Sequence, residues 1–153
     1  MARFYGQGAT EYLVLLAVVL IIALVSIALL GFFPGMATDT KITQSMTYWS
    51  GQAYPLSIQA VKMMAAGGNT CQIVVQNMDS ANTLTLGNIR IGTNNNATTV
   101  SLAPGETKTL LVTSTACSPG TTVDVAVGFT YNTTSGLLNV NQNGSKTLTT
   151  KCQ

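Results

Sequence analysis

Between Tyr12 and Phe33 the chain runs for 22 residues without a charge, its only non-hydrophobic members being Ser26 and Gly31. As a helix this run would be about 33 Å long at about 1.5 Å per residue, enough to cross the hydrocarbon layer of a membrane. Leu13, Val14, Leu15, Leu16, Val18, Val19, Leu20, Ile21, Ile22 and Leu24 leave no polar stripe on such a helix. A helix apolar on every side must be enclosed on every side. Lipid can enclose it, and so can the same helices of other copies. Leu13, Leu15, Leu16, Val19, Leu20 and Ile22 are therefore candidates for the core of a polymer. Ala17, Ala23, Ala28 and Gly31 permit close helix approach without forming a regular small-xxx-small repeat. The alternative is a permanent single-span anchor.

Charged residues make up only 8% of the chain and sum to +2, scattered singly. This excludes a nucleic-acid footprint and a basic membrane-surface patch. Outside the apolar run polarity comes from Thr, Asn, Ser, Gln and Gly, a surface with little repulsion between copies. Cys71, Cys117 and Cys152 all follow the apolar run, where an extracytoplasmic location permits one disulfide and leaves one thiol over. Any of the three pairings is open. With no His in the chain and no C-x-x-C spacing, neither a zinc site nor a Cys-His nucleophile is expected.

The N-terminus is not that of an ordinary secretory signal. Met1 to Gly6 carries one basic residue, and the long apolar run has no small-residue exit before Pro34-Gly35. Cleavage, if it occurs, must precede the helix. The segment Gln7-Gly8-Ala9-Thr10-Glu11-Tyr12-Leu13-Val14-Leu15 resembles the Q-x-S-x-E-x-x-x-L signature of archaeal type IV pilins with a class III signal peptide. Gln7, Glu11 and Leu15 match it, and Ala9 stands where the family usually has Ser. The resemblance implies cleavage between Gly6 and Gln7 by a prepilin peptidase, insertion in the membrane before assembly, and a pilus assembly platform that delivers the subunit into an extracellular homopolymer. It further implies a register role for Glu11, the fifth residue after the cut, against the new amino terminus of a neighbour. An archaellin-like motility subunit fits the Gln7-x-x-x-Glu11 pattern less well than an adhesive pilin.

A carboxylate at the border of an apolar helix needs compensation, because an isolated ion in low dielectric either finds a partner or takes up a proton. One polar pair can also select a single stagger among many that apolar packing accepts equally. The plainer role for Glu11 is to complement the positive end of the helix dipole, worth about 0.3–1 kcal/mol.

Pro34-Gly35 is expected to kink or interrupt the helix, with a second, amphipathic stretch from about Met36 to Ser50 carrying Ile42, Met46 and Trp49 at helical spacing. From Leu56 the period becomes two: Leu84/Leu86, Ile89/Ile91, Val100/Leu102 and Val123/Val125/Val127/Phe129/Tyr131. Gly67-Gly68, Pro104-Gly105, Pro119-Gly120, Ser135-Gly136 and Asn143-Gly144 punctuate this region, the last a candidate tight hairpin turn. About seven or eight short strands then make an α+β chain: a long apolar helix followed by an all-β, Ig-like β-sandwich head. The expected divisions are a leader at 1–6, a helical segment at 7–54 with its kink near 34–35, and a head at 55–153. Its expected core is Ile73, Val74, Leu84, Ile91, Leu110, Val112, Val125, Val127 and Phe129.

Three sequons, at Asn96, Asn132 and Asn143, fall in stretches that read as turns or loops and are candidate glycan sites. Asp79, Glu106 and Asp124 lie in separate segments of the head with no motif pairing a nucleophile and a base, Glu106 in the expected hairpin turn after Pro104-Gly105. Tyr5, Tyr12, Phe32, Phe33, Tyr48, Trp49 and Tyr54 bracket the apolar run as candidate interfacial anchors. The expectation is a non-enzymatic filament subunit without cofactor or metal; a surface binding module held singly in the membrane is the competing class.

Overall fold

A computed structural model describes residues 7–65 and 68–153. The chain divides into two compact units, one ending at Asp39 and one spanning Thr40–Gln153. Helix α1 covers Gln7–Gly51. Gly6 and the rest of the expected leader lie outside the described residues. The interruption expected at Pro34-Gly35 is absent, α1 being helical through both positions. A proline removes one backbone donor from a helix, and turns satisfied on either side carry the chain past it. Met36 to Ser50 is thus a continuation of the same helix rather than a second one.

The second unit is a β-sandwich of nine strands among the described residues. One sheet contains β1 (Leu56–Met64), β2 (Thr70–Asn77) and β5 (Thr107–Thr113) in the order β1-β2-β5. The facing sheet contains β3 (Leu84–Ile91), β4 (Asn94–Leu102), β7 (Val127–Thr133) and β8 (Val140–Asn143), ordered β4-β3-β7-β8. In immunoglobulin terms these are A-B-E and C′-C-F-G, all antiparallel. The addition is a two-stranded ribbon of β6 (Thr122–Val125) and β9 (Leu148–Lys151), joined to β1 by a bridge between Met63 and Cys152.

Alternation fixes which residues enter the space between the sheets. In β2, Cys71, Ile73, Val75 and Asn77 point inward, and in β3 Leu84 and Leu86, then, after a bulge, Ile89 and Ile91. Val75 rather than Val74 is a core residue, because a one-residue offset in a strand reverses the face. Leu110 packs on the core while remaining partly exposed. The largest core side chain comes from the helix: Trp49 is wholly buried and meets Phe129 edge to face at 6.3 Å, and so is not an interfacial anchor.

Two punctuation signals serve other purposes than expected. Asn143-Gly144 is not a hairpin turn, since β8 pairs with β7 while β9 pairs with β6, so this segment crosses between sheets. Gly144 is needed there for proximity: a Cβ at this position would run into the Trp49 indole. Pro104-Gly105 likewise carries the chain from the β4 edge of one sheet to β5 of the other, and Glu106 closes that crossover by accepting from the Ala103 amide at 2.7 Å. The tight hairpin is instead at Gly92-Thr93 between β3 and β4, where Gly92 has φ 62°.

Side-chain amides stitch the two sheets where strand ladders cannot. Buried Asn77 donates to the carbonyls of Asn82 and Leu102 and accepts from the Asp79 amide, all within 3.0 Å. Gln142 on β8 pairs with both backbone groups of Leu56 on β1, at 3.0 and 2.7 Å. Asn96 on β4 does the same for Thr113 on β5, at 2.9 and 2.8 Å. Each amide presents a donor and an acceptor as a peptide group does, so it joins facing sheet edges by pairing their backbone groups.

Gly144→Ala should destabilise the head by about 1–3 kcal/mol through collision with Trp49. Gly51→Ala, whose surroundings are open, should leave stability unchanged or slightly raised. Thermal unfolding of the detergent-solubilised protein distinguishes them, and equal midpoints would show that the Gly144–Trp49 contact is unimportant.

Candidate assembly site

Within the first unit, successive residues of α1 are separated by about 100° around the helix axis, so any four in a row sample every side. Leu13, Val14, Leu15 and Leu16 are 60, 63, 66 and 45% exposed, and no side of the helix is covered. Fifteen large apolar side chains from Tyr12 to Leu30 stand in this condition. At about 1.5–3 kcal/mol for each side chain removed from water, the segment carries some tens of kcal/mol of unrealised burial. That exceeds the about 5–15 kcal/mol by which a whole domain is stable. Among the described residues this is one helix long and apolar enough to span a membrane, and it lies near the N-terminus.

The polar interruption is neutralised locally: the Ser26 hydroxyl donates to the Ile22 carbonyl at 2.7 Å. A hydroxyl returned to its own helix needs no partner from lipid or from a neighbouring chain. Gln7 opens α1, and Glu11 follows on its first turns as an exposed side chain beside Thr10, Val14 and Leu15. The acidic residue therefore borders the apolar surface from outside rather than within it.

In the second unit, the last turns of α1 are held by contacts that the sequence does not announce. Lys41 forms an ion pair with Asp124 of β6, whose other oxygen accepts from the Thr149 hydroxyl at 2.5 Å. Buried Ser45 donates to the Thr147 carbonyl and accepts from the Thr149 amide, both at 2.8 Å. The Tyr48 hydroxyl accepts from the amide and hydroxyl of Ser145 at 3.0 and 2.8 Å. Spaced by three and four residues, Lys41, Ser45 and Tyr48 form one helical row facing the β6–β9 ribbon. The only signal for this clasp in the sequence is the row's spacing; its partners lie about a hundred residues away.

The ribbon is closed covalently by Cys117–Cys152, whose Cα atoms are 6.0 Å apart. Cys71 is the remaining thiol, sealed in the core, where burial pushes its pKa up to about 12 and holds it as an unreactive thiol. The sequons occupy strands rather than loops. Asn96 lies in β4 and its amide nitrogen donates to the Ile89 and Thr113 carbonyls, so the atom that would carry a glycan is engaged. Asn132, in β7, accepts from the Asn139 amide; Asn143 ends β8, accepts from Arg90 and is exposed. Loop composition misled here, because polar Asn and Thr also fill the outward positions of exposed strands.

Asp124 is held below the usual carboxylate range first by Lys41 and then by Thr149; Asp79 by the Ala81 amide and Asn82; Glu106 by the Ala103 amide and Lys108. These are anchoring carboxylates that close turns and clasp the helix. Among the described residues no three His, Cys, Asp or Glu side chains converge. The sequence matches no protein-family model and no curated protein.

A carboxyl with a lower pKa folded than unfolded stabilises the fold above its unfolded pKa and loses that contribution as pH falls through the folded value. For Asp124 the ordinary value is 3.8. The unfolding midpoint should be level above about pH 5 and fall below about pH 4. Asp124→Asn should lower it at neutral pH and shrink the acid-induced drop; a drop of unaltered size would dismiss the clasp as a source of stability.

Proposed function

We propose that this chain is the structural subunit of an extracellular, archaeal type IV pilus-like filament of the adhesive kind, assembled by packing the N-terminal helices of many copies. The observation that carries this reading is the helix surface between Tyr12 and Leu30, exposed on every side next to a head whose own core is complete. The Gln7, Glu11 and Leu15 pattern preceding and entering that surface supports it.

The subunit first resides in the membrane with its helix in lipid. A prepilin peptidase cuts between Gly6 and Gln7, removing Arg3 and leaving a new α-amino group at the helix start. The assembly platform then withdraws the helix from lipid into a bundle of identical helices. This exchange replaces one apolar environment by another, so it neither gains nor loses much by hydrophobic transfer, and packing between helices decides the outcome. Many staggers of a uniformly apolar rod pack about equally well. A Glu11 carboxylate meeting the amino terminus of a neighbour selects among them, because every other stagger leaves a charge unpaired in low dielectric. The low charge of the head lets neighbours crowd together, and a glycan at Asn132, rather than at the engaged Asn96 or at Asn143 beside Arg90, would solvate the outer surface. No catalytic step is assigned.

Electron microscopy of sheared surface material, with N-terminal sequencing of the fibres, tests the reading. The expected result is fibres beginning at Gln7, and a Glu11→Ala variant that inserts into membranes normally while yielding at least tenfold fewer fibres. Protein recovered solely as a detergent-solubilised monomer still bearing Met1 would instead assign it to a membrane-anchored surface module.

A further inference from the structure

The outer face of the β4-β3-β7-β8 sheet holds a depression of about 180 Å³ whose polar groups are incompletely matched. Strand register places Arg90, Gly128 and Asn143 side by side in one row and Asn88, Thr130 and Asn141 in the next. Gly128 forms the floor: a Cβ there would lie 2.7 Å from Asn143 Oδ1 and 3.3 Å from Arg90 Nη2. The Arg90 guanidinium lies over this gap and donates to Asn143 Oδ1 at 3.0 Å. Thr130 Oγ1 donates to Asn141 Oδ1 at 2.8 Å, fixing the opposite wall.

Two groups lack what they need. Asn88 Oδ1 is buried without a hydrogen-bond donor, at a bulge that shifts the β3 register against both neighbouring strands between Leu86 and Asn88. Bulges of this kind re-aim a side chain and occur preferentially beside binding sites. Arg90 forms no ion pair among the described residues. An acceptor without a donor next to a cation without an anion defines the complement: a ligand carrying a hydroxyl and a carboxylate on one small rigid frame.

We infer that this face binds an acidic saccharide, with Arg90 receiving the carboxylate and Asn88 a ring hydroxyl. A neutral sugar would leave Arg90 unmatched, an inorganic sulfate or a phosphodiester brings charge but no donor for Asn88, and on a sugar ring the planar carboxylate matches the flat guanidinium fork better than a tetrahedral sulfate ester. The depression is far smaller than the about 300–1,000 Å³ of sites for drug-sized ligands and suits one sugar ring. Its occupancy is independent of polymerisation, although copies arrayed in a filament would bind a polysaccharide with avidity.

Detergent-solubilised protein, shown by intact mass to carry no glycan at Asn143, is passed over immobilised polygalacturonate, dextran sulfate and dextran. Selective binding to polygalacturonate is expected, weakened about tenfold or more by Arg90→Gln and also weakened by Asn88→Ala, with the unfolding midpoint of the Arg90 variant unchanged. Binding to dextran sulfate as strong as to polygalacturonate, no preference over dextran, or full binding by Arg90→Gln would each overturn the inference. Because soluble subunits are used, none of these results depends on whether fibres form.

Discussion

The governing constraint is that a helix apolar around its whole circumference cannot remain in water. Polar groups are arranged around that demand: Ser26 within the segment is satisfied by its own helix, Glu11 stands at its border, and Lys41, Ser45 and Tyr48 follow it in the second unit. The head, by contrast, has no such debt, since its core is closed by Trp49, Phe129 and the alternating aliphatic residues of two sheets. One part of the molecule is complete by itself and the other requires an environment.

The head achieves completeness by means suited to a surface with few charges. Sheet edges in a sandwich expose donors and acceptors that either recruit another chain or must be covered. Here Asn77, Asn96 and Gln142 cover them by imitating peptide groups. A neutral amide serves this role where a carboxylate or ammonium would bring a desolvation penalty. The abundance of Asn and Gln is therefore partly architectural, and reading it as loop composition or as glycan acceptors misses that use.

Element types were legible because their signals are periodic and local: an unbroken apolar run, then alternation of period two. The placement of Ile73, Leu84, Ile91, Val125, Val127 and Phe129 in the core followed from that alternation. What failed were inferences about single residues whose role is set at long range. Pro34-Gly35 signals a break in the sequence, yet the helix absorbs the loss of one donor. Asn143-Gly144 has the composition of a turn, whereas the partner of Gly144 is an indole 95 positions earlier in the chain. Val74 and Val75 could not be separated by hydrophobicity and were separated by register. Glu11 could be located but not paired, since it forms no ion pair among the described residues and the expected partner belongs to another copy.

The bond between Cys117 and Cys152, 35 positions apart in sequence, encloses β6, β7, β8 and β9. Were the chain assembled into the proposed filament, tension would pass through each of its heads. Pulling on such a head cannot draw out the enclosed stretch, because the cross-link bypasses it, so any yielding is confined to the strands before Cys117. Covalent closure at the tail thus limits how far a tethered subunit can elongate before it either holds or lets go.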